Sequence, residues 1–129
     1  NHFFSKNNPD RSKVYSSMGN VNFLSSLSYV DGIVGNSSSG LLEAPTFKIG
    51  TINIGDRQKG RLKADSVINC KPNKASIMNA FNQLYSKGFK DKIKSTINPY
   101  GKGNASKNIM NLIKKINFPI NIKKEFYDS

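Results

Sequence analysis

A run of small polar residues between two glycines is the part of the sequence most suited to binding chemistry. Residues 35–40, Gly-Asn-Ser-Ser-Ser-Gly, follow a short apolar segment and precede an apolar run predicted to be helical. The first amides of a helix lack intrahelical partners, and the helix dipole adds partial positive charge there. With three hydroxyls and a backbone that can approach closely at glycine, this serine loop (residues 35–40) can cradle a phosphate or diphosphate.

A carboxylate lies one turn into the helix predicted after the serine loop. Glu43 at that position can accept hydrogen bonds from a vicinal diol, such as that of a ribose. The same residues also fit a structural role, in which Ser38 or Ser39 caps the helix and Glu43 favours its dipole. The spacing alone leaves both interpretations open.

A second loop carries three cations within seven residues. Residues 55–61, Gly-Asp-Arg-Gln-Lys-Gly-Arg, follow the β-branched run 51–54, and we call them the cationic loop. Arg57, Lys59 and Arg61 could lean over a bound anion and close the site. An ordinary charged surface loop is the alternative. The pattern gains weight only if neighbouring parallel strands bring both loops to one edge of a sheet.

A third loop combines Pro with two glycines. Residues 98–104, Asn-Pro-Tyr-Gly-Lys-Gly-Asn, predict a rigid turn before a last helix capped by Asn104. Tyr100 could pack on a base or on a partner domain. A purely structural turn is the favoured interpretation.

Other chemistries find little support, and the sequence predicts neither a metal nor a cofactor. The one histidine, His2, has no Cys partner for zinc, and the serines lack a positioned histidine for a hydrolase triad. The serine loop lacks the Gly-Lys-Ser/Thr ending of a Walker loop. Cys70 lies in an apolar strand, where a buried inert thiol is expected. Near the proposed edge, Glu43, Asp56 and Asp65 form no evident acid–base pair.

Short strands alternating with helices predict an α/β layer with a mostly parallel sheet. Ligands of such sheets bind beyond the carboxyl ends of the strands, where both loops would lie. The predicted strands are residues 2–4, 13–15, 32–35, 51–54 and 66–70. The predicted helices are 21–30, 41–47 shortened or bent by Pro45, 74–87 with Gly88 as its stop, a further turn in 89–96, and one from Asn104 to Pro119. Apolar faces are predicted for two of these helices, with Ile77, Met78, Phe81, Leu84 and Tyr85 in the helix over 74–87, and Ile109, Leu112, Ile113 and Ile116 in the last.

The length and the net charge of the chain limit the classes of function that it can have. The 129 residues suffice for one domain, and 20 Lys and Arg against 8 Asp and Glu give a formal net charge of +12. All cations except Arg11, Arg57 and Arg61 are lysines spread over several segments, whereas phosphate and base readers favour arginine. Solvated faces are therefore preferred to a specific nucleic-acid role, which remains the alternative of another class.

One Cys indicates a reducing compartment, hence a cytoplasmic protein, and no apolar run is long enough for a membrane span. The first residue, Asn, suggests a fragment.

Two long motifs resemble the hydrolysing UDP-N-acetylglucosamine 2-epimerases. They are residues 34–47, from Val34 through the serine loop to Phe47, and residues 51–61, which end in the cationic loop. Ser17-Met18-Gly19 and residues 98–104 resemble the flanking motifs, so the resemblance runs from about Ser17 to Ile116.

The resemblance implies that residues 1–129 form a Rossmann-like, nucleotide-binding domain, the carboxyl-terminal half of a two-domain GT-B fold. The implied bacterial enzyme eliminates UDP from UDP-N-acetylglucosamine and adds water to the glycal, giving N-acetylmannosamine for sialic or legionaminic acid synthesis. The non-hydrolysing epimerase is the alternative. The proton-transfer carboxylates would belong to the chain's own amino-terminal domain, so this part alone is expected to be inactive. A homo-oligomer is expected, and family members have more residues than this chain between Asp10 and Ser17.

The resemblance also implies residue roles. Ser37 and Ser38, with Gly40, would hold the diphosphate, Glu43 the ribose hydroxyls, and Arg57 the nucleotide. Further candidates for the same UDP site are Asn36, Ser39, Lys59, Arg61 and Tyr100.

Overall fold

Three parallel strands form the sheet of this protein. The computed structural model describes residues 2–116, in which the strand order is β1-β2-β3. The strands are β1 (Gly32–Gly35), β2 (Gly50–Ile54) and β3 (Val67–Cys70). The prediction of an α/β fold with a parallel, Rossmann-like sheet is confirmed, and these three predicted strands agree within one residue at each end.

The middle strand is the best buried because it is covered on both faces. Alternate residues of a strand point to opposite faces. Ile52 packs with Leu84 and Phe89, whereas the Thr51 side chain hydrogen-bonds the backbone at Gly40. The helical segments containing Gly40 and Leu84 therefore lie on opposite faces, so the chain forms a helix–sheet–helix sandwich.

Seven helical segments accompany the sheet in the described residues. They are α1 (His2–Asn7), α2 (Gly19–Ser26), α3 (Ser39–Leu42), a 3₁₀ helix (Ala44–Phe47), α4 (Lys74–Tyr85), α5 (Lys87–Lys94) and α6 (Ala105–Ile113). Among residues 2–116, none of these helices has the length and apolar character needed to cross a membrane.

Two hydrophobic clusters hold the layers together. One joins β2 and β3 to α4 and α5, with Ile52, Ile68, Ala80, Leu84 and Phe89. The other joins α2 to the 3₁₀ helix and the start of β2, with Leu27, Ala44 and Ile49. Burial of each Ile, Leu or Phe side chain contributes about 1.5–3 kcal/mol to the free energy of folding. The second cluster fixes the chain that carries the serine loop into α3.

The prediction of two strands near the amino terminus is wrong. Residues 2–4 lie in α1, and Asn8 donates a hydrogen bond to the Phe4 carbonyl at 3.0 Å beyond the end of that helix. Residues 13–15 form no strand, and Val14 and Tyr15 are exposed. Short apolar runs do not distinguish helix from strand, and a strand also needs a paired neighbour to persist.

The predicted stop at Gly88 is also wrong. The break lies at Ser86, whose backbone is extended between α4 and α5. Its hydroxyl donates to the Gln83 carbonyl at 2.8 Å and accepts from the Phe89 amide at 3.3 Å. Ser86 therefore caps both helices, which permits a sharp turn without a glycine. The further turn predicted over residues 89–96 is a separate helix that begins at Lys87.

The apolar face of α4 is shifted from the predicted one. Ala80 and Leu84 are buried, whereas Met78 and Tyr85 are about half exposed. Tyr85 lies under the Lys90 ammonium, which is 5.2 Å from the ring centroid. The small Ala80 is buried because it lies on the side of α4 that packs with Ile52 and Ile68 in the core.

Helix α6 begins at the predicted place but not with the predicted cap. Asn104 has φ +64°, a left-handed conformation, and its side chain makes no capping hydrogen bond. The predicted apolar stripe of this helix is exposed within the described part of the chain. The helix ends at Ile113, so its predicted extension to Pro119, a residue outside the described part of the chain, is wrong.

Candidate functional site

The serine loop leaves β1 at the carboxyl edge of the sheet and enters α3. Ser38 occupies the N-cap position, where its carbonyl accepts from the amides of Leu41 and Leu42, both at 2.9 Å. Its hydroxyl makes no capping bond and has no partner among residues 2–116. The Ser37 hydroxyl accepts from the Ser39 amide at 3.3 Å. The structural interpretation, with Ser38 or Ser39 as the cap of the helix, is confirmed for Ser38, which caps α3 through its backbone, while its hydroxyl takes no part in the cap and is available to a ligand.

Helix α3 is fixed against the sheet through its backbone. Gly40 and Leu41 are buried, and the Thr51 hydroxyl donates to the Gly40 carbonyl at 2.8 Å. A Cβ at position 40 would lie 2.4 Å from Thr51 Cγ2, which is too close for any real contact. Residue 40 must therefore be glycine for α3 to approach β2, a packing reason additional to any contact with a ligand.

Glu43 lies at the junction where α3 ends and the 3₁₀ helix begins. Its amide donates to the Ser39 carbonyl at 3.0 Å, as in a continuing helix. The predicted single helix is nevertheless divided at Glu43, and the 3₁₀ helix begins with Ala44 and Pro45. One carboxylate oxygen, Oε2, is buried without a hydrogen-bond partner in the described part of the chain. An unpartnered buried acceptor is costly, so this oxygen is suited to a donor supplied by a ligand.

One glutamine joins the cationic loop to the serine loop. Gln58 is 3% exposed, and its Nε2 donates to the Asn36 carbonyl at 2.7 Å. The prediction that the two loops lie together at one edge of the sheet is thus confirmed. Sequence reasoning assigned Gln58 no role. No local feature of the sequence indicates it, because the carbonyl that Gln58 contacts lies 22 residues away.

The cations of this loop remain exposed. Arg57, Lys59 and Arg61 form no ion pair within residues 2–116. Gly55 and Gly60 have φ of +78° and +79°, so the loop turns at both glycines. The guanidinium and ammonium groups thus belong to a loop that Gln58 joins to the serine loop, and they are not engaged in ion pairs within residues 2–116.

The loop of residues 98–104 packs against both parts of the site. Asn98 donates to the Leu42 carbonyl and to Thr46 Oγ1, both at 2.8 Å. Tyr100 donates its hydroxyl to the Leu62 carbonyl at 3.1 Å, beyond the cationic loop. The structural role favoured for Tyr100 therefore has a defined partner, although the ring is 44% exposed.

A cleft of about 610 Å³ opens beside the cationic loop at the ends of β2 and β3. Cys70 lines it together with Gly55 and Asp56, so the thiol is partly rather than fully buried. Desolvation raises the pKa of the Cys70 thiol. At neutral pH the group is consequently a neutral thiol, in agreement with the predicted lack of reactivity.

Three relatives share this region of sequence. The chain is 42% identical over 113 residues to the polysialic acid biosynthesis protein P7 of Escherichia coli, covering 87% of this chain and 29% of that protein. It is 40% identical over 87 residues to the GDP/UDP-N,N'-diacetylbacillosamine 2-epimerase (hydrolyzing) of Campylobacter jejuni, covering 67% and 22%. It is 35% identical over 94 residues to the UDP-N,N'-diacetylbacillosamine 2-epimerase (hydrolyzing) of Legionella pneumophila, covering 73% and 24%. The chain thus spans less than a third of the length of each of these proteins.

The match to a family covers nearly all of the described structure. Residues 2–114 fit the sequence pattern of the family described as UDP-N-acetylglucosamine 2-epimerase. This range contains the serine loop, Glu43, the cationic loop and the loop of residues 98–104. The chain belongs to the UDP-N-acetylglucosamine 2-epimerase family.

Proposed function

We propose that this chain is the UDP-binding half of a hydrolysing UDP-sugar 2-epimerase. The observation that carries the proposal is that Gln58 joins the cationic loop to the serine loop at the carboxyl edge of one parallel sheet, where α3 begins with a Ser38 hydroxyl unpartnered among residues 2–116. The buried Glu43 oxygen, which also has no partner in the described residues, lies at the other end of the same short helix. Edges of this kind are where open α/β sheets bind their ligands.

Each group matches one part of a nucleoside diphosphate. The hydroxyls of Ser37 and Ser38 and the first amides of the helical segment donate to the diphosphate. Glu43 accepts from the two ribose hydroxyls, which supply the donors that its Oε2 lacks in the described chain. Arg57 adds a charge-assisted contact from the cationic loop. Asn36, Ser39, Gly40, Lys59, Arg61 and Tyr100 complete the proposed surroundings of the nucleotide.

The reaction proposed for the parent enzyme begins with loss of UDP. Elimination breaks the C1–O bond and removes the proton at C2, which gives a glycal and UDP. Water then adds across the double bond with the opposite configuration at C2. Elimination is favoured when the diphosphate leaving group is held by donors that stabilise its developing charge, which is the task assigned to the serine loop and Arg57.

The carboxylates that move protons are proposed to belong to the other domain of a GT-B arrangement. Two relatives are named for N,N'-diacetylbacillosamine and one for polysialic acid biosynthesis. We therefore propose a UDP-linked N-acetylated sugar as substrate, with a product used for sialic or legionaminic acid. A cytoplasmic, homo-oligomeric enzyme is proposed with it, and no metal or cofactor takes part in the scheme.

Calorimetric titration of the full chain with UDP tests the binding proposal. Ser38→Ala should weaken UDP binding about tenfold, because a hydrogen bond to a charged group contributes about 1.5–3 kcal/mol. Ser106→Ala, a change at an exposed serine of α6, is the matched control and should bind as the wild type does. Equal affinity of wild type and Ser38→Ala would refute the cradle.

Two further measurements separate the alternatives. Free N-acetylmannosamine or its analogue, detected with the parent enzyme, distinguishes hydrolysis from epimerisation that returns the UDP-sugar. Filter binding to DNA at several salt concentrations tests the nucleic-acid alternative, because a true binding module shows a steep salt dependence. Weak retention that differs little among DNA sequences is expected from the net charge of +12.

A further inference from the structure

The Asn98 side chain makes three hydrogen bonds, and two of them link distant parts of the chain. Its Nδ2 donates to the Leu42 carbonyl and to Thr46 Oγ1, both at 2.8 Å. Its Oδ1 accepts from the Tyr100 amide at 2.9 Å. The first two partners lie 56 and 52 residues away in sequence, so these contacts hold the loop of residues 98–104 against α3 and the 3₁₀ helix.

The orientation of this amide is fixed by the chemistry of its partners. A backbone carbonyl only accepts, so the nitrogen of Asn98 must face Leu42. A backbone amide only donates, so the oxygen must face Tyr100. Asp at position 98 would keep the acceptor for Tyr100 but lose both donors.

The two donor bonds contact the chain on either side of Glu43. Leu42 is the last residue of α3, where helix carbonyls lack intrahelical partners, and Thr46 lies in the 3₁₀ helix. Glu43, between these two contacts, is the residue at which the chain passes from α3 to the 3₁₀ helix. Asn98 therefore supports the junction from which the Glu43 carboxylate projects.

Asn98 is itself well anchored. Pro99 follows it directly and restricts the backbone of both residues. Tyr100 then bonds the Leu62 carbonyl at 3.1 Å. The amide is thus held by a short rigid segment whose other end is attached beyond the cationic loop.

We propose that Asn98 is a positioning residue for Glu43. By fixing the junction between α3 and the 3₁₀ helix, it keeps the carboxylate where it accepts from the vicinal hydroxyls of the ribose. This inference rests on the proposed binding of UDP at this site. It assigns to the loop of residues 98–104 a role in ribose recognition without any contact between Asn98 and the nucleotide.

The test compares UDP with 2′,3′-dideoxy-UDP, which lacks the diol. In the full chain, Asn98→Ala should weaken UDP about tenfold and leave the affinity for the dideoxy nucleotide unchanged. In the Glu43→Gln chain, Asn98→Ala should cause no further loss for UDP, because the two side chains act on the same interaction. Thermal unfolding of each variant identifies any that fails to fold.

Thr46→Val is a milder variant that tests the same support of the Glu43 junction by Asn98. It removes one of the two acceptors and leaves the bond to Leu42, so the preference for UDP should fall about threefold. It also keeps the experiment decisive if Asn98→Ala does not fold.

The outcomes separate this inference from the proposed function. Equal losses for both nucleotides, in Asn98→Ala or in Thr46→Val, would show a general structural role and overturn the positioning of Glu43 by Asn98. Failure of the wild type to bind UDP would overturn the proposed function itself. A wild type that binds UDP and the dideoxy nucleotide equally well would refute ribose recognition by Glu43, and the role of Asn98 with it.

Discussion

The two loops of the candidate site are held in place by different means. The serine loop continues into α3, where Gly40 and Leu41 are buried and the Thr51 hydroxyl bonds the backbone. The cationic loop turns at Gly55 and Gly60 and is tied to the serine loop by the Gln58 side chain. The proposed diphosphate cradle is therefore set by packing on the sheet, whereas the cationic loop is held by hydrogen bonds, from Gln58 to the Asn36 carbonyl and from the Gly55 amide to the Cys70 carbonyl. We expect the packed cradle to be the less mobile of the two, which suits a ligand that must enter before it is enclosed.

Gly40→Ala should give the largest effect, because it tests the packing of the cradle directly. The added methyl would overlap Thr51, which is 2% exposed and cannot move aside. Overpacking of this kind costs about 1–3 kcal/mol of the free energy of unfolding. Urea denaturation measures this loss, and calorimetry should show a parallel loss of UDP binding.

Thr51→Ser in the Gly40→Ala chain is the matched control. Serine removes the methyl group that the new Cβ would meet and keeps the hydroxyl that donates to the Gly40 carbonyl. Most of the lost stability should return. If Gly40→Ala is as stable as the wild type, or if Thr51→Ser restores nothing, α3 does not depend on this close approach.

Gln58→Met should give a smaller and more local effect. Methionine has similar length but no donor, so the hydrogen bond to Asn36 is lost at a cost of about 1 kcal/mol. Hydrogen exchange should quicken in residues 55–61 and stay unchanged in β2, and UDP should bind several-fold more weakly. Gln83→Met, at an exposed position of α4, is the control and should alter neither. Uniformly faster exchange across the sheet would contradict a local role for Gln58.

The elements that the sequence predicted well are those with local signals. β-branched runs marked the strands, with glycines next to those of β1 and β2, and the short polar connection before an apolar run marked the start of α3. Since parallel strands place their carboxyl ends together, the meeting of the two loops also followed. The serine loop could thus be assigned to one edge without any knowledge of tertiary contacts.

Local sequence signals do not predict the contacts that organise the site. Gln58 and Asn36 are 22 residues apart, and Asn98 and Leu42 are 56 apart. An amide side chain carries no local indication of a distant carbonyl partner, so neither role could be predicted. The errors at residues 2–4 and at Gly88 have the opposite cause: a local signal was present, but the actual neighbours decided otherwise.

The smallest effect is expected from the Cys70 thiol, which changes how stability depends on pH next to the start of the cationic loop. The Gly55 amide, where the cationic loop begins, bonds the Cys70 carbonyl at 2.9 Å, and burial raises the pKa of the Cys70 thiol. Because the folded pKa is raised above the unfolded value, the stabilising contribution of the neutral thiol is complete below the unfolded pKa. It is then lost as pH rises through the folded pKa.

Urea denaturation at pH 7 and at pH 10 measures this loss against Cys70→Ser, which has no group that ionises there. Lysines titrate in both chains, so only the difference between the two chains belongs to the thiol. The wild type should lose slightly more stability on the alkaline side, and alkylation of Cys70 by iodoacetamide at pH 7 should be slower than that of an exposed thiol. Rapid alkylation at pH 7, or an equal loss of stability in both chains, would show that the thiol is solvated. In that case the Cys70 side chain would face the open cleft rather than the core, and the packing that sets the cradle would not extend to the end of β3, where the cationic loop is attached.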